Sequence, residues 1–196
     1  MLIKLLPFVG IALLFACEEP EIAEKKVAEI DEYFDVEGLL ASNAEELLRR
    51  EVKMAKIASF DGEVEKTVVR LDSAAIIREL DVFRDADINK PEFSESYIKE
   101  VKEENGLQVI TYVAEDKEDL NVNYLKVYLN AEAEEVERLE ALFSNRNILY
   151  NSTRLLKVEY GEVKGVRLPM GYTIEGVQKM IFSEPAKYAI KAEFEY

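Results

Sequence analysis

The chain is predicted to fold as an α+β domain, with two amphipathic helices packed on a curved antiparallel β-meander of about six to eight strands. Three observations predict it. Apolar residues recur at helical spacing in two segments only, both in the first half of the chain. From Ser96 onward the period changes to two, and short turn signals separate the runs. The 196 residues are 48% hydrophobic, enough for one core, and no repeat, Pro-rich linker or low-complexity tract interrupts residues 35–196.

The first helix is expected from Asp35, a good N-cap, to Arg50. Val36, Leu39, Leu40, Leu47 and Leu48 fall on one face, while Glu45, Glu46, Arg49 and Arg50 point away. A hairpin follows, because Val52–Phe60 and Glu63–Arg70 flank Asp61-Gly62, a pair that tolerates the positive φ of a type I′ turn. The second helix runs from Ser73 to Ala86. Ile76, Ile77, Leu80 and Phe83 make its apolar stripe, Asp72 or Ser73 caps it, and Pro91 forbids continuation. Tyr97–Glu103 and Leu107–Ala114 flank Asn105-Gly106, a second hairpin signal, and Tyr124–Asn130 alternates. Further strands are expected at 135–144, 147–160, 166–181 and 186–196. Ala131–Phe143 is rich in Ala, Glu and Leu, which favours helix locally. Strands at regular spacing flank it, so Val136–Phe143 is assigned as a strand. Short connections make the sheet antiparallel, and a sheet of this size curls. Its inner face is the surface that Val36, Leu40, Ile76, Ile77 and Leu80 would fill.

The amino terminus carries a different message. Lys4 is followed by an apolar stretch, Leu5–Phe15, about half of the roughly 20 residues a membrane-spanning helix needs. Ala16 supplies the small residue before a cut, so residues 1–16 form a signal peptide cleaved between Ala16 and Cys17. Residues 18–37 hold nine acids and two lysines, a self-repelling, extended stretch. Leu14-Phe15-Ala16-Cys17 resembles the lipobox of bacterial lipoproteins, with Phe15 bulkier than usual at its place. That resemblance implies acylation of Cys17, and two or more acyl chains anchor a protein stably. Glu18, Glu19 and Glu21, just after Cys17, resemble the export signal of surface-displayed lipoproteins in Bacteroidota-type bacteria. The organisation is then a signal peptide (1–16), a lipidated acidic tether (17–34) and one α+β domain (35–196).

Two wider resemblances follow. The predicted curved sheet cradling helices resembles the half-barrels of outer-membrane lipoprotein carriers, in topology only. Tyr33-Phe34-Asp35, Leu71-Asp72-Ser73, Ala86-Asp87-Ile88-Asn89-Lys90-Pro91 and Tyr172-Thr173-Ile174-Glu175-Gly176-Val177-Gln178-Lys179 resemble an uncharacterised family of Bacteroidota outer-membrane and surface lipoproteins. That likeness implies localisation and a single domain, and carries no mechanism.

Composition removes several function classes. The net charge of −15 repels phosphate backbones, so nucleic acid is not an expected partner. No histidine is present, and the single cysteine can form neither an intramolecular disulfide nor a thiolate zinc site. Asp85-Ala86-Asp87-Ile88-Asn89 begins like a calcium loop, but Lys90 and Ser96 stand where the loop needs Gly and Glu. Ser96-Tyr97-Ile98-Lys99 matches a Ser-x-x-Lys motif, whose chemistry needs a helix where a strand is expected. Forty acids guarantee close carboxylate pairs, so no pair points to glycoside hydrolysis. Asp72-Ser73-Ala74 resembles a short O-glycosylation site, although helix capping accounts for the same residues. Tyr112, Tyr124, Tyr128, Tyr150, Tyr160, Tyr172, Tyr188 and Tyr196 are candidates for a ligand cleft or ordinary strand residues.

The expectation is a non-enzymatic interaction or accessory module of the cell envelope, without metal or cofactor. It is held in the outer membrane by acylated Cys17, on the cell surface or the periplasmic face, and docks on envelope proteins. The alternative is a carrier of an apolar ligand, such as an acyl chain, in the concave face. The acidic surface confines lipid contact to the anchor on this reading.

Overall fold

Each of the two α-helices starts on an aspartate whose side chain closes the first turn. The computed structural model describes residues 32–117, 120–130, 132 and 135–196. Helix α1 (Val36–Leu48) begins where Asp35 accepts the Gly38 N–H at 2.7 Å, and α2 (Ser73–Arg84) where Asp72 accepts the Ala75 N–H at 2.7 Å. The buried stripe is Val36, Leu40, Asn43 and Leu47 on α1, and Ile76, Leu80 and Phe83 on α2. Of the expected members missing from it, Leu39 is half-buried against the core and two others are exposed. Leu48 and Ile77 are 45% and 53% exposed. At 3.6 residues per turn each sits about 100° past a buried neighbour, beyond the narrow line that packs. Helix α2 also stops at Arg84, short of the expected Ala86. Ala86, Asp87 and Ile88 are buried in the connection that follows.

The strands are β1 (Lys53–Phe60), β2 (Glu63–Arg70), β3 (Tyr97–Glu104), β4 (Leu107–Ala114), β5 (Val122–Asn130), β6 (Glu135–Arg146), β7 (Tyr150–Val163), β8 (Val166–Met180) and β9 (Ala186–Glu195). They form one nine-stranded sheet in the order β2-β1-β9-β8-β7-β6-β5-β4-β3, antiparallel throughout. The count exceeds the expected six to eight because the first hairpin joins the meander. β1 pairs with β9 from Lys53↔Glu195 to Phe60↔Tyr188. Asp61 (φ 46°) and Gly62 (φ 93°) turn that hairpin, and Asn105 (φ 52°) and Gly106 (φ 80°) turn β3 into β4, as type I′ geometry requires. Both sheet edges are charged, with Glu63, Glu65, Lys66 and Arg70 on β2 and Lys99, Glu100, Lys102, Glu103 and Glu104 on β3. Such edges resist pairing with other chains.

The segment with competing helical propensity is β6. Leu139, Ala141 and Phe143 enter the core and β5 and β7 hydrogen-bond it on both sides, so tertiary pairing overrides local preference. At its far end the turn comes later than expected. The Asn147 side chain accepts the N–H groups of Leu149 (2.8 Å) and Tyr150 (3.0 Å), which places residues 147–149 in the turn and starts β7 at Tyr150.

Helices, and the 85–96 connection after them, lie on one face of the sheet. Polar contacts pin them there. Asn43 Nδ2 donates to Tyr160 Oη at 2.9 Å, Lys56 Nζ pairs with Glu79 at 2.7 Å, and the Tyr172 hydroxyl donates to the same carboxylate. Burial pushes the Tyr160 and Tyr97 hydroxyls up from 10.0 to about 12, and raises Tyr172 further with help from Glu79. A raised folded pKa means that the unfolded chain ionises first. The corresponding stability is complete below pH 10 and is lost as pH climbs toward about 12. Urea midpoints followed by circular dichroism should therefore be insensitive to these tyrosines at neutral pH and fall above about pH 10. Tyr160→Phe should make that fall shallower.

Candidate functional site

Along the central strands the inner face changes character halfway. On β7 it runs Tyr160, Val158, Leu156 and then Arg154 and Ser152; on β8, Tyr172 and Ile174 give way to Gly176 and Gln178. On β6, Leu139, Ala141 and Phe143 are followed by Asn145. The helices cover the apolar half. The polar half stays open as a cleft of about 510 Å³.

The 85–96 connection contributes Asp85, Lys90 and Phe93 to one wall. Tyr150 and Tyr188 stand at the starts of β7 and β9, and Ser144, Asn145, Ser152 and Gln178 line the strand ends. Arg154 Nη2 donates to Asp85 Oδ2 at 3.1 Å, and its guanidinium lies 4.5 Å from the centre of the Phe143 ring. The Asp85 carboxylate and the aromatic face hold the cation in place at the cleft floor. Register sets Gly176 between Arg154 and Tyr188. A Cβ at Gly176 would come within 2.3 Å of the Tyr188 ring, so this glycine lets the tyrosine lie across β8. The result is an aromatic-walled cleft with two cations, amides and hydroxyls, suited to hydrogen-bonding and stacking on a polar group.

Motif residues of the connection are occupied elsewhere. Asp87 is buried and accepts the Asn89 N–H at 3.4 Å, and burial raises its carboxyl above 3.8. Asn89 Oδ1 accepts the Tyr33 N–H at 3.2 Å, and Asp85 faces Arg154. These three side chains therefore point to three separate partners and do not converge on a calcium site. Ser96 precedes β3 and donates to the Ser94 carbonyl at 3.4 Å, while Lys99 on the strand lies 5.8 Å from the Tyr112 ring centre.

No family model, no curated protein and no solved structure matches the chain. The residues themselves must supply the reading.

Of the eight candidate tyrosines, Tyr150 and Tyr188 line the cleft. Tyr112, Tyr160 and Tyr172 are core residues. Tyr124 and Tyr128 lie on the opposite face, where Tyr124 donates to Glu140 at 2.6 Å and Arg138 stacks 4.2 Å from the Tyr128 ring centre. The Tyr196 hydroxyl bonds the Pro169 carbonyl. Ser73 is exposed in the first turn of α2 beside the capping Asp72. Ala16, Cys17, Glu18, Glu19 and Glu21, which carry the cleavage, lipidation and export expectations, lie outside the described residues. Among the described residues no helix is long and apolar enough to cross a membrane.

Sequence reasoning missed Arg154, Lys90 and Gln178. The signal was there, as the loss of apolar residues from alternate positions toward one end of each strand. It becomes legible only once the register stacks those ends side by side.

Proposed function

We propose that this chain is an envelope lipoprotein, anchored in the outer membrane through acylated Cys17, whose α+β domain is a non-enzymatic interaction module. The observation that carries the module reading is the division of the inner face. Its apolar half is filled by Val36, Leu40, Leu47, Ile76, Leu80 and Phe83, and its polar half is an open cleft holding Arg154 and Lys90. Such a cleft suits a polar group projecting from an envelope partner, gripped by cation, amide and aromatic ring. The sheet with its helices on one face is read as a half-barrel. Carriage of an acyl chain finds less support, because the space such a chain would need is occupied by helix side chains.

Two measurements test the proposal. Labelled palmitate should enter the wild-type protein in its native host and be absent from Cys17→Ser. Equal labelling of the two would overturn the anchor. A photo-crosslinking amino acid at Ser152 or Gln178, in the cleft, should trap a defined adduct in native envelopes, whereas one at Glu162, at the opposite end of the sheet, should not. Identical adducts from both ends would remove the cleft as the docking site.

A further inference from the structure

Turns are usually built from Gly, Pro, Asn, Asp and Ser. At the cleft end of the sheet, the β6–β7 turn instead displays Ile148 and Leu149, and the β8–β9 turn displays Ile181 and Phe182 after Met180. All five are exposed, Ile148 by 89% and Phe182 by 96%. None belongs to the core. The Ile181 N–H donates to the Leu149 carbonyl at 3.0 Å, so the two turns form one projection. Scattered apolar residues need no explanation, but a contiguous exposed group of this size marks a contact surface.

Three features identify the other side of that contact. First, the described chain begins at the same end of the sheet. Glu32 accepts from Ser94 Oγ (3.1 Å) and the Glu95 N–H (3.4 Å), and the Tyr33 hydroxyl donates to Phe93 O (3.0 Å) and accepts the Ser96 N–H (3.1 Å), just before β3. Register sets the start of β3, the end of β6, the start of β7 and the end of β8 at one end. Fourteen residues separate Cys17 from Glu32, a reach of at most about 50 Å. Second, Arg146, Lys179 and Lys187 flank the projection, three cations against the two acids Glu184 and Asp61, the latter accepting the Lys187 N–H at 2.8 Å, in a chain of net charge −15. Register sets the three cations on the sheet face opposite the helices, and the neighbouring β4–β5 connection is acidic, with Glu115 and Asp116. Third, Tyr150 stands at the root of the tips, and tyrosine favours the headgroup level of a bilayer.

We propose that the joined β6–β7 and β8–β9 tips insert into the bilayer that carries the anchor, with Ile148, Leu149, Ile181 and Phe182 among the acyl chains and the three cations at anionic headgroups. This rests on the lipoprotein reading and departs from the expectation that net charge confines lipid contact to the anchor. Tethering makes insertion an intramolecular event, so weakly binding tips suffice. Insertion orients the domain with the cleft toward the membrane.

The chain has no tryptophan, so Phe182→Trp gives a single reporter. The acylated protein carrying it is reconstituted in vesicles of phosphatidylethanolamine and phosphatidylglycerol, with and without brominated acyl chains. Its emission should shift to shorter wavelength and be quenched by bromine, while Glu162→Trp at the opposite end should do neither. Unquenched, unshifted Phe182→Trp in protein that co-floats with the vesicles overturns the proposal and assigns the tips to a protein partner. If palmitate does not enter wild type, it is the anchor that fails. The tips are then read in residues 17–196 with Cys17→Ser and the same reporter at excess lipid. A shift there supports insertion, and Ile148→Ser should weaken it about tenfold; no shift overturns it.

Discussion

Phe83→Ala is expected to lower the unfolding free energy of the domain by about 3–5 kcal/mol, the range for deleting a buried phenylalanine. Phe83 lies in the last turn of α2, is 2% exposed, and sets its ring edge-on to Tyr172 with centroids 5.1 Å apart. The hole would be slow to close. Tyr172 is held through its hydroxyl to Glu79, and Glu79 is held by Lys56, so the neighbour best placed to move inward is tied from behind. Urea denaturation of the wild type and variant, with unchanged dependence on denaturant, gives the number directly. A loss under about 1 kcal/mol would show that the helix resettles onto the sheet. Phe83→Leu should recover a large part of the loss.

The second large effect concerns the polar pin inside the core. Asn43 is buried in the apolar stripe of α1 and donates to Tyr160 Oη at 2.9 Å. Tyr160→Phe strands a buried amide and should cost about 1–3 kcal/mol, and Asn43→Leu strands a buried hydroxyl at similar cost. Removing both partners removes the stranded group as well. The double variant should therefore lose clearly less than the two single losses combined, with a coupling of about 0.5–3 kcal/mol. Strict additivity in a four-protein denaturation cycle would mean that the two groups do not depend on each other.

Periodicity made much of this architecture readable. Both helices, both aspartate caps and the Asp61-Gly62 and Asn105-Gly106 turns fall where local rules put them, because each depends on a few adjacent residues. Non-local features were harder to read. Asn43 breaks an apolar stripe, and only its partner on β7, 117 residues away, explains its burial. The later β6–β7 turn depends on one side chain, Asn147, capturing two amides, which leaves Ile148 and Leu149 in the turn when their hydrophobicity argues for a strand. The β1–β9 pairing has no local signal at all, and it turns a separate hairpin into the end of a nine-stranded sheet. The cleft follows the same logic, since its polar residues come from several strands and one connection.

That neighbourhood of first and last strands also governs the order in which the molecule can be assembled. During synthesis the β1–β2 hairpin emerges early, yet the strand it docks on comes last, and Asp61 waits 126 residues for the Lys187 amide it accepts. Closure across so long a loop is slow, in the millisecond-to-second range of non-local β topologies. A chain still being synthesised thus lacks the piece that completes its sheet, and stays pliable until release.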